Sequence, residues 1–425
     1  MNKKFPFKNI SIIGAGKTGI SCAKYFSSRG YPVLLSDISD DKKIYEYLPK
    51  NVEIELGGHS EKILQSDLII PCPDVSPGIS VLRKAAEKNI SILTDIEIFY
   101  LLARYKLIIA ITGTNGKTTT TSMVGEILKN AGKKTAVCGN IGSPVMDYAP
   151  TSDEETYIVM EVSSYQLDYI RDFTPDIAAV LNITPDHLKR HKTMENYAFT
   201  KMKILVNQTG NNLCVINKDD ELCRKIAEEC NSAVRYFSLK ENRLKIPLKI
   251  PGPHNMENAL ASIEISKAAG ILESVIYDTL RDFPGVEHRL EFVREIKGVK
   301  YINDSKGTNV SSTEVAIKSF ENPVILILGG RDKGSPYTPL IPLIKSKVKM
   351  IIAIGEAKNK IFSELKDSAP VILLENVDQA VEKAKNISIP GDIVLLSPAC
   401  SSFDQFKNYE ERGKCFKNIV NKLKV

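Results

Sequence analysis

Short runs rich in valine and isoleucine recur along the chain, each followed by a stretch whose apolar residues return at helical spacing. This alternation predicts parallel sheets covered by helices, an α/β architecture. In the first hundred residues the expected strands are NISIIG, YPVLLSD, DLIIPCP and ISILTD, and IEIFYLLARY reads as a helix leading into a new strand, KLIIAITG. A boundary is therefore placed near Thr94 to Glu97. A second set follows with KTAVCG, TYIVMEV, IAAVLNI and NLCVINKDD, and closes on the irregular RLKIPLKIPGPHN and the helix MENALASIEISKAAG. FPGVEHRLEFV carries the proline and glycine of a second linker, beyond which VKYINDS, NPVILILGG, KMIIAIG, PVILLE and DIVLLSP repeat the doubly wound pattern. Three α/β domains are expected, over residues 1–96, 97–285 and 286–425.

Composition narrows the class. At 425 residues the chain exceeds one core, and 43% hydrophobic with 25% charged residues excludes a disordered or low-complexity protein. No apolar run approaches the roughly 20 residues that cross a bilayer, so no membrane insertion is expected. The opening MNKKFPFKNISIIGAG runs straight into a glycine turn and reads as a first strand, not a signal peptide, which places the chain in the cytoplasm. Eight cysteines without a C-x-x-C pair fit reduced structural thiols. His187 and His191 lie four apart, but DHLKRH lacks the glutamate of a zinc-protease helix. A net charge of +6, not gathered into one block, suits small anionic substrates and gives no reason to expect nucleic acid.

Two glycine loops carry the first chemistry. Gly14, Gly16 and Gly19 form G-x-G-x-x-G between a strand and a helix, with Lys17 and Thr18 inside it and Asp37 ending the next strand. Such a turn lets backbone N–H groups approach a diphosphate, while a carboxylate at the second strand can meet a ribose or base. The fingerprint alone says only "diphosphate-bearing nucleotide", and a glycine turn serving nothing but packing is its bland alternative. TGTNGKTTT is more specific: Gly113 and Gly116 shape a loop around phosphate oxygens with Thr114 and Asn115, Lys117 neutralises them, and Thr118 can hold Mg²⁺ beside Thr119. Ile111 stands where the generic P-loop has its first glycine, so this is a shorter variant. Glu161 ends a strand where a carboxylate can reach the metal or simply cap a helix, and His187 follows the next strand. Later loops, YINDSKGTN, GGRDKG and SPACSSFDQFKNYEERG, all follow strands of one expected sheet, on the edge where such folds bind ligands.

Together TGTNGKTT, EVSSYQL, NITPDHL, GPHNMENALA, EHRLE, NDSKGTN, GGRDKG and SPACSSFDQFKNYEERG resemble the Mur ligases, the ATP-dependent amide-forming enzymes of peptidoglycan synthesis, over essentially the whole chain. The last segment is similar to the branch of the family that adds D-glutamate. The resemblance implies a Rossmann-like N-terminal domain, a central P-loop ATPase-like domain with a mostly parallel sheet, and a Rossmann-like C-terminal domain. It implies UDP-N-acetylmuramoyl-L-alanine and D-glutamate as substrates, ATP, two Mg²⁺ ions, and a monomer. The first glycine loop then holds UDP, not NAD. Gly14, Gly16, Lys17, Thr18, Gly19, Asp37, Ser76 and Asn140 are implied for the UDP-substrate. Gly113, Thr114, Asn115, Gly116, Lys117, Thr118, Thr119, Asn255, Asn258, Arg289, Asp304 and Lys306 are implied for ATP. Thr118, Glu161, His187 and a carbamylated Lys201 are implied for metal, with Lys117, Glu161, His187 and Lys201 catalytic. Thr308, Lys333, Ser402, Phe403 and Tyr409 are implied for D-glutamate. The chain departs from the family's pattern at Ile38 and Ser39, where Thr-Arg is more usual, and in PCPDVSPG, which is longer than the usual approach. Another amide ligase, of Mur or folylpolyglutamate type, is the nearest alternative; a dehydrogenase leaves the second loop without purpose, and a nucleotide-binding switch leaves the metal ligands without one.

Overall fold

A computed structural model describes residues 5–244, 246–250 and 252–423. Three α/β sheets follow one another along the chain. The first holds β1 (Ile10–Ile13), β2 (Val33–Asp37), β3 (Val52–Leu56), β4 (Leu68–Pro71) and β5 (Ser91–Ile92) in the order β3-β2-β1-β4-β5, all parallel. That order puts the glycine loop after β1 at the point where the winding reverses, where open α/β sheets take ligands.

The second sheet holds β6 (Leu107–Thr112), β7 (Thr135–Gly139), β8 (Tyr157–Glu161), β9 (Ile177–Val180), β10 (Leu213–Asn217) and β11 (Ala233–Phe237), ordered β11-β10-β9-β6-β8-β7 and again parallel. β6, which delivers the phosphate loop, lies between β8 and β9, so Glu161 and the segment carrying Asn182 to His187 leave the sheet on either side of it. The third sheet holds β12 (Glu291–Ile296), β13 (Val299–Asn303), β14 (Val324–Gly329), β15 (Val348–Ile354), β16 (Val371–Leu373) and β17 (Ile393–Leu396), ordered β12-β13-β17-β14-β15-β16. Here β12 runs antiparallel to β13 and the rest are parallel.

Three strands absent from the sequence expectations are β3 (VEIEL), β11 (AVRYF) and β12 (EFVREI), and each lies at a sheet edge. Edge strands bury one face at most, so they alternate polar with apolar residues and lack the continuous apolar run that marks a central parallel strand. The expected second linker is correspondingly shorter, because its EFV belongs to β12.

Contacts divide the chain into two compact units, Met1–Ile246 with Met256–Arg281, and Pro247–Asn255 with Asp282–Val425. Within the first, one apolar core runs from Phe7 through Ile96, Phe99 and Phe173 to Ala227, joining the first two sheets. The helix Asp95–Leu102 carries acids into that core. Glu97 is fully buried and accepts hydrogen bonds from the backbone N–H of Arg171 (2.8 Å), Asp172 (3.0 Å) and Phe173 (2.9 Å). Asp95, also buried, accepts from Nε2 of Gln166 at 3.2 Å, and burial pushes its carboxyl up to about 6. In the second unit, two apolar layers clasp the third sheet, one around Leu326 and Leu395, the other around Ile327 and Val394.

Glu97→Ala strips three backbone donors of a buried acceptor, and we expect a loss of about 3 kcal/mol. Chemical denaturation checks this; an unchanged midpoint would show that water takes over those N–H groups.

Candidate active site

The phosphate loop is built on two backbone conformations that only glycine adopts readily. Gly113 has φ +152° and Gly116 has φ +83°. A Cβ on Gly116 would stand 2.2 Å from Oδ1 of Asn258, so the loop and the helix Pro253–Ala268 meet there without room for a side chain. Asn182 clamps the loop from the other side. Its Oδ1 accepts from the N–H of Asn115 at 2.8 Å and its Nδ2 donates to the Asn115 carbonyl at 3.2 Å. Thr114 is tied in too, its hydroxyl donating to the Thr184 carbonyl (3.2 Å) and accepting from the Thr184 N–H (3.0 Å). The helix Lys117–Asn130 begins at Gly116 without a side-chain cap, so its first N–H groups and its dipole face the loop, the arrangement that binds phosphate.

Two lysines converge on this loop. Nζ of Lys117 donates to the carbonyls of Gly113 and Thr114, both at 2.8 Å, and Nζ of Lys201 donates to the same Gly113 carbonyl at 2.8 Å. Lys201 is 1% exposed and lies over the ring of Tyr197 at 4.6 Å. Burial, reinforced by the charge of Lys117, holds its amine well below the ordinary lysine value. An uncharged amine is a nucleophile toward CO₂, and the carbamate so formed is an anionic oxygen ligand.

The metal candidates surround the loop. Thr118 donates its hydroxyl to Oε2 of Glu161 at 2.7 Å, both side chains buried, and Nδ2 of Asn140 donates to Oε1 at 2.9 Å. Hydroxyl and carboxylate oxygens form a hard donor set, which suits Mg²⁺ completed by phosphate and water. His187, in a strained left-handed conformation at φ +53°, shares a 2.8 Å hydrogen bond between Nδ1 and the Tyr165 hydroxyl and faces Asp186. Partial desolvation lowers its pKa against the pull of Asp186, which favours the neutral ring that a metal ligand needs. His191 lies apart from that role, buried with Nε2 3.0 Å from the Ser164 hydroxyl. Among the described residues, the only trio of His, Cys, Asp or Glu donor atoms within 4.8 Å of one another is Glu287, His288 and Glu291. The ammonium of Lys417 is paired with both of those glutamates.

In the first domain the helix Lys17–Ser27 starts at Gly16, again without a side-chain cap. Beside it opens a cleft of about 530 Å³ lined by Ala15, Lys17, Lys24, Tyr47, Ser143 and Asp147. A Cβ on Gly19 would fall 1.9 Å from the Gly14 carbonyl, so this glycine is required by packing alone. Asp37 accepts from the N–H groups of Ala15 and Ser39, so it shapes the glycine loop. Ser76 is exposed on its loop, and Asn140 braces Glu161.

In the second unit Asp304, Lys306, Thr308, Lys333, Ser402 and Phe403 lie on loops that follow the C-terminal ends of β13, β14 and β17. Asp304 is buried, accepts from Ser397 Oγ at 2.7 Å and the Leu290 N–H at 3.3 Å, and is pushed up to about 6 by burial. Arg289 has a buried Nε without a hydrogen-bond partner, a donor suited to an anion. Lys333 donates to the Thr308 hydroxyl at 3.3 Å, and the Lys306 ammonium stands 5.6 Å above the Tyr409 ring. Ser402 is buried and Phe403 is 60% exposed. Asn255 and Asn258 share one helix, and Asn258 accepts from the Thr120 hydroxyl at 3.3 Å.

Sequence reasoning missed several supporting residues. Tyr165 sits inside EVSSYQL, but nothing in the spacing of Tyr165 or Tyr197 distinguishes a ring beside a histidine or lysine from core. Arg412 is fully buried under the third-sheet edge, donating to the carbonyls of Ser305, Cys400 and Ser401, and burial lowers it to about 10. An arginine in a helical run otherwise reads as a solvated face.

Three family models match: the Mur ligase MurD-like N-terminal domain over residues 8–94, the Mur ligase middle domain over 111–244 and the Mur ligase glutamate ligase domain over 288–400. The chain is 41% identical to the UDP-N-acetylmuramoylalanine–D-glutamate ligase of Clostridioides difficile, covering 98% of this chain and 99% of that one. It is 40% identical to the enzyme of that name from Pelotomaculum thermopropionicum, with 100% of each covered. Among solved structures it is similar to the UDP-N-acetylmuramate-alanine ligase of Thermotoga maritima, with TM-score 0.63, 19% identity and 98% and 99% of the two chains covered. It is also similar to Escherichia coli FolC, with TM-score 0.58, 16% identity and 77% and 93% covered. These last two share the fold.

Lys201→Met keeps the buried volume and removes a charge that folding must strip of its proton. In wild type the folded lysine binds fewer protons than the unfolded one, so stability rises with pH through the window between the lowered value and the ordinary 10.5. We therefore expect the variant to unfold at higher temperature than wild type at neutral pH, with the gap closing as pH rises. Melting curves across pH check this; a gap that widens with pH would contradict it.

Proposed function

The chain belongs to the Mur ligase family, and on that premise we propose the following assignment of its reaction to its residues. It is an ATP-dependent amide ligase of peptidoglycan precursor synthesis, joining D-glutamate to UDP-N-acetylmuramoyl-L-alanine with release of ADP and phosphate. The observation that carries the assignment is the full-length identity of about 40% to enzymes of that name, together with a glycine loop that gathers Lys117, Lys201, Thr118 and Glu161. The folylpolyglutamate-type alternative rests on shared fold alone.

A carboxylate is a poor acyl donor because oxide is a poor leaving group. Transfer of the γ-phosphoryl group of ATP to the terminal alanine carboxylate gives an acyl phosphate, and the amine of D-glutamate displaces phosphate from it. Lys117 and the N–H groups at the start of the helix Lys117–Asn130 hold the phosphates and offset charge as the phosphoryl group moves. Thr118 and Glu161 would hold one Mg²⁺, and His187 with the carbamate of Lys201 a second; when bound, these ions would screen the two anions from each other. Asn255, Asn258, Arg289, Asp304 and Lys306 serve ATP. Thr308 and Lys333 receive a carboxylate of D-glutamate, with Ser402, Phe403 and Tyr409 completing its pocket. The cleft beside Gly14 to Gly19 takes UDP, with Asp37, Ser76 and Asn140 along its path toward the reacting end. The joints fall at 96/97 and 285/286, and the enzyme works as a cytoplasmic monomer.

ADP release with UDP-N-acetylmuramoyl-L-alanine, Mg²⁺ and ATP is expected with D-glutamate and absent with L-glutamate, L-alanine or diaminopimelate. Turnover with another amino acid would overturn the pocket in the third sheet, and ATP binding without turnover would overturn the ligase.

A further inference from the structure

Arg190 follows His187 by three residues and belongs to none of the groups named above. Its guanidinium is largely buried and makes contacts on three sides. Nη1 donates to the carbonyls of Pro73 (3.3 Å) and Val75 (3.1 Å), in the loop that carries Ser76. Nη2 donates to Oδ2 of Asp168 at 2.6 Å, an ion pair with both side chains under a fifth exposed. The guanidinium carbon lies 4.1 Å from the ring centre of Tyr165, whose hydroxyl shares the 2.8 Å hydrogen bond with Nδ1 of His187.

The loop held this way needs holding. Its start is secured to the glycine turn: the N–H of Cys72 donates to the Ile13 carbonyl at 2.8 Å, and its thiol to the Gly14 carbonyl at 3.2 Å. From Asp74 to Gly78 it runs largely exposed, with Ser76 at its outer side. Two carbonyls of this segment point at one guanidinium anchored in the central domain. A planar fork spreads separate donors over two carbonyls and a carboxylate while its face lies on an aromatic ring; an ammonium would have to gather all of these partners around one nitrogen.

We propose that Arg190 is a positioning residue that couples the substrate loop to the histidine. Through Pro73 and Val75 it sets where Ser76 meets the UDP-substrate, and through Tyr165 it sets the ring of His187. The loop that carries Ser76 and the ring of His187 are thereby referred to one rigid side chain. This rests on the function proposed above; the loop restraint itself does not.

The test uses full-length wild type, Arg190→Lys and Tyr165→Phe. Hydrogen exchange reports the loop without reference to activity: amides from Asp74 to Gly78 should exchange about tenfold faster in Arg190→Lys, with the phosphate loop 113–118 unchanged. KM for UDP-N-acetylmuramoyl-L-alanine should rise about tenfold while KM for ATP stays within about twofold. Tyr165→Phe keeps the ring beneath the guanidinium and loses only the hydroxyl, so loop exchange and both KM values should match wild type while kcat falls about tenfold. Unchanged loop exchange in Arg190→Lys, or equal rises in both KM values, would overturn the coupling. Wild type without D-glutamate turnover would overturn the function instead, and loop exchange would still decide the restraint.

Discussion

One backbone carbonyl, that of Gly113, takes hydrogen bonds from two lysine side chains, and the rest of the site follows from that crowding. A pair of like charges with one member buried is unstable unless anions arrive or that member sheds its proton. Lys117 stands at a helix start that welcomes phosphate, whereas Lys201 is enclosed by Tyr197 and the loop. The loss therefore falls on Lys201. A residue that looks in the sequence like one of several helical lysines becomes the amine of the site whose charge is least tolerable, and so the one most open to conversion into a carbamate.

The surrounding fold holds that crowding in place. β6 brings the loop between β8 and β9, Asn182 and Asn258 grip it from two sides, and Glu161 is braced by Thr118 and Asn140. Acids buried in the helix Asp95–Leu102 tie the first sheet to the second, so the cleft beside the first glycine loop and the loop at Gly113 to Gly116 belong to one unit. At the C-terminal edge of the third sheet Arg412 supports the loops that carry Ser305 and Cys400.

How much of this was legible depends on what a residue answers to. Central strands such as KLIIAITG announce themselves because both faces are buried; VEIEL, AVRYF and EFVREI do not, because an edge needs only half a face. Gly113 and Gly116 were legible because their left-handed backbone calls for glycine, and Lys117 and Thr118 follow them at the start of the helix. Lys201 was legible only through family resemblance, since its burial is a tertiary fact. Asp37 and Asn140 were assigned to ligand and are seen bracing the loop and Glu161 as well. Arg190 left no trace at all: its partners at Pro73 and Val75 lie more than a hundred residues away, and a main-chain carbonyl has no signature in sequence.

The most direct test of the central claim is a carbon NMR spectrum of the active enzyme in ¹³C-labelled bicarbonate. A carbamate resonance present in wild type and lost in Lys201→Arg is the predicted result, because the buried amine is the one poised to capture CO₂. A fully active wild type with no such resonance would contradict it, and would leave Lys201 a cation held against its own burial.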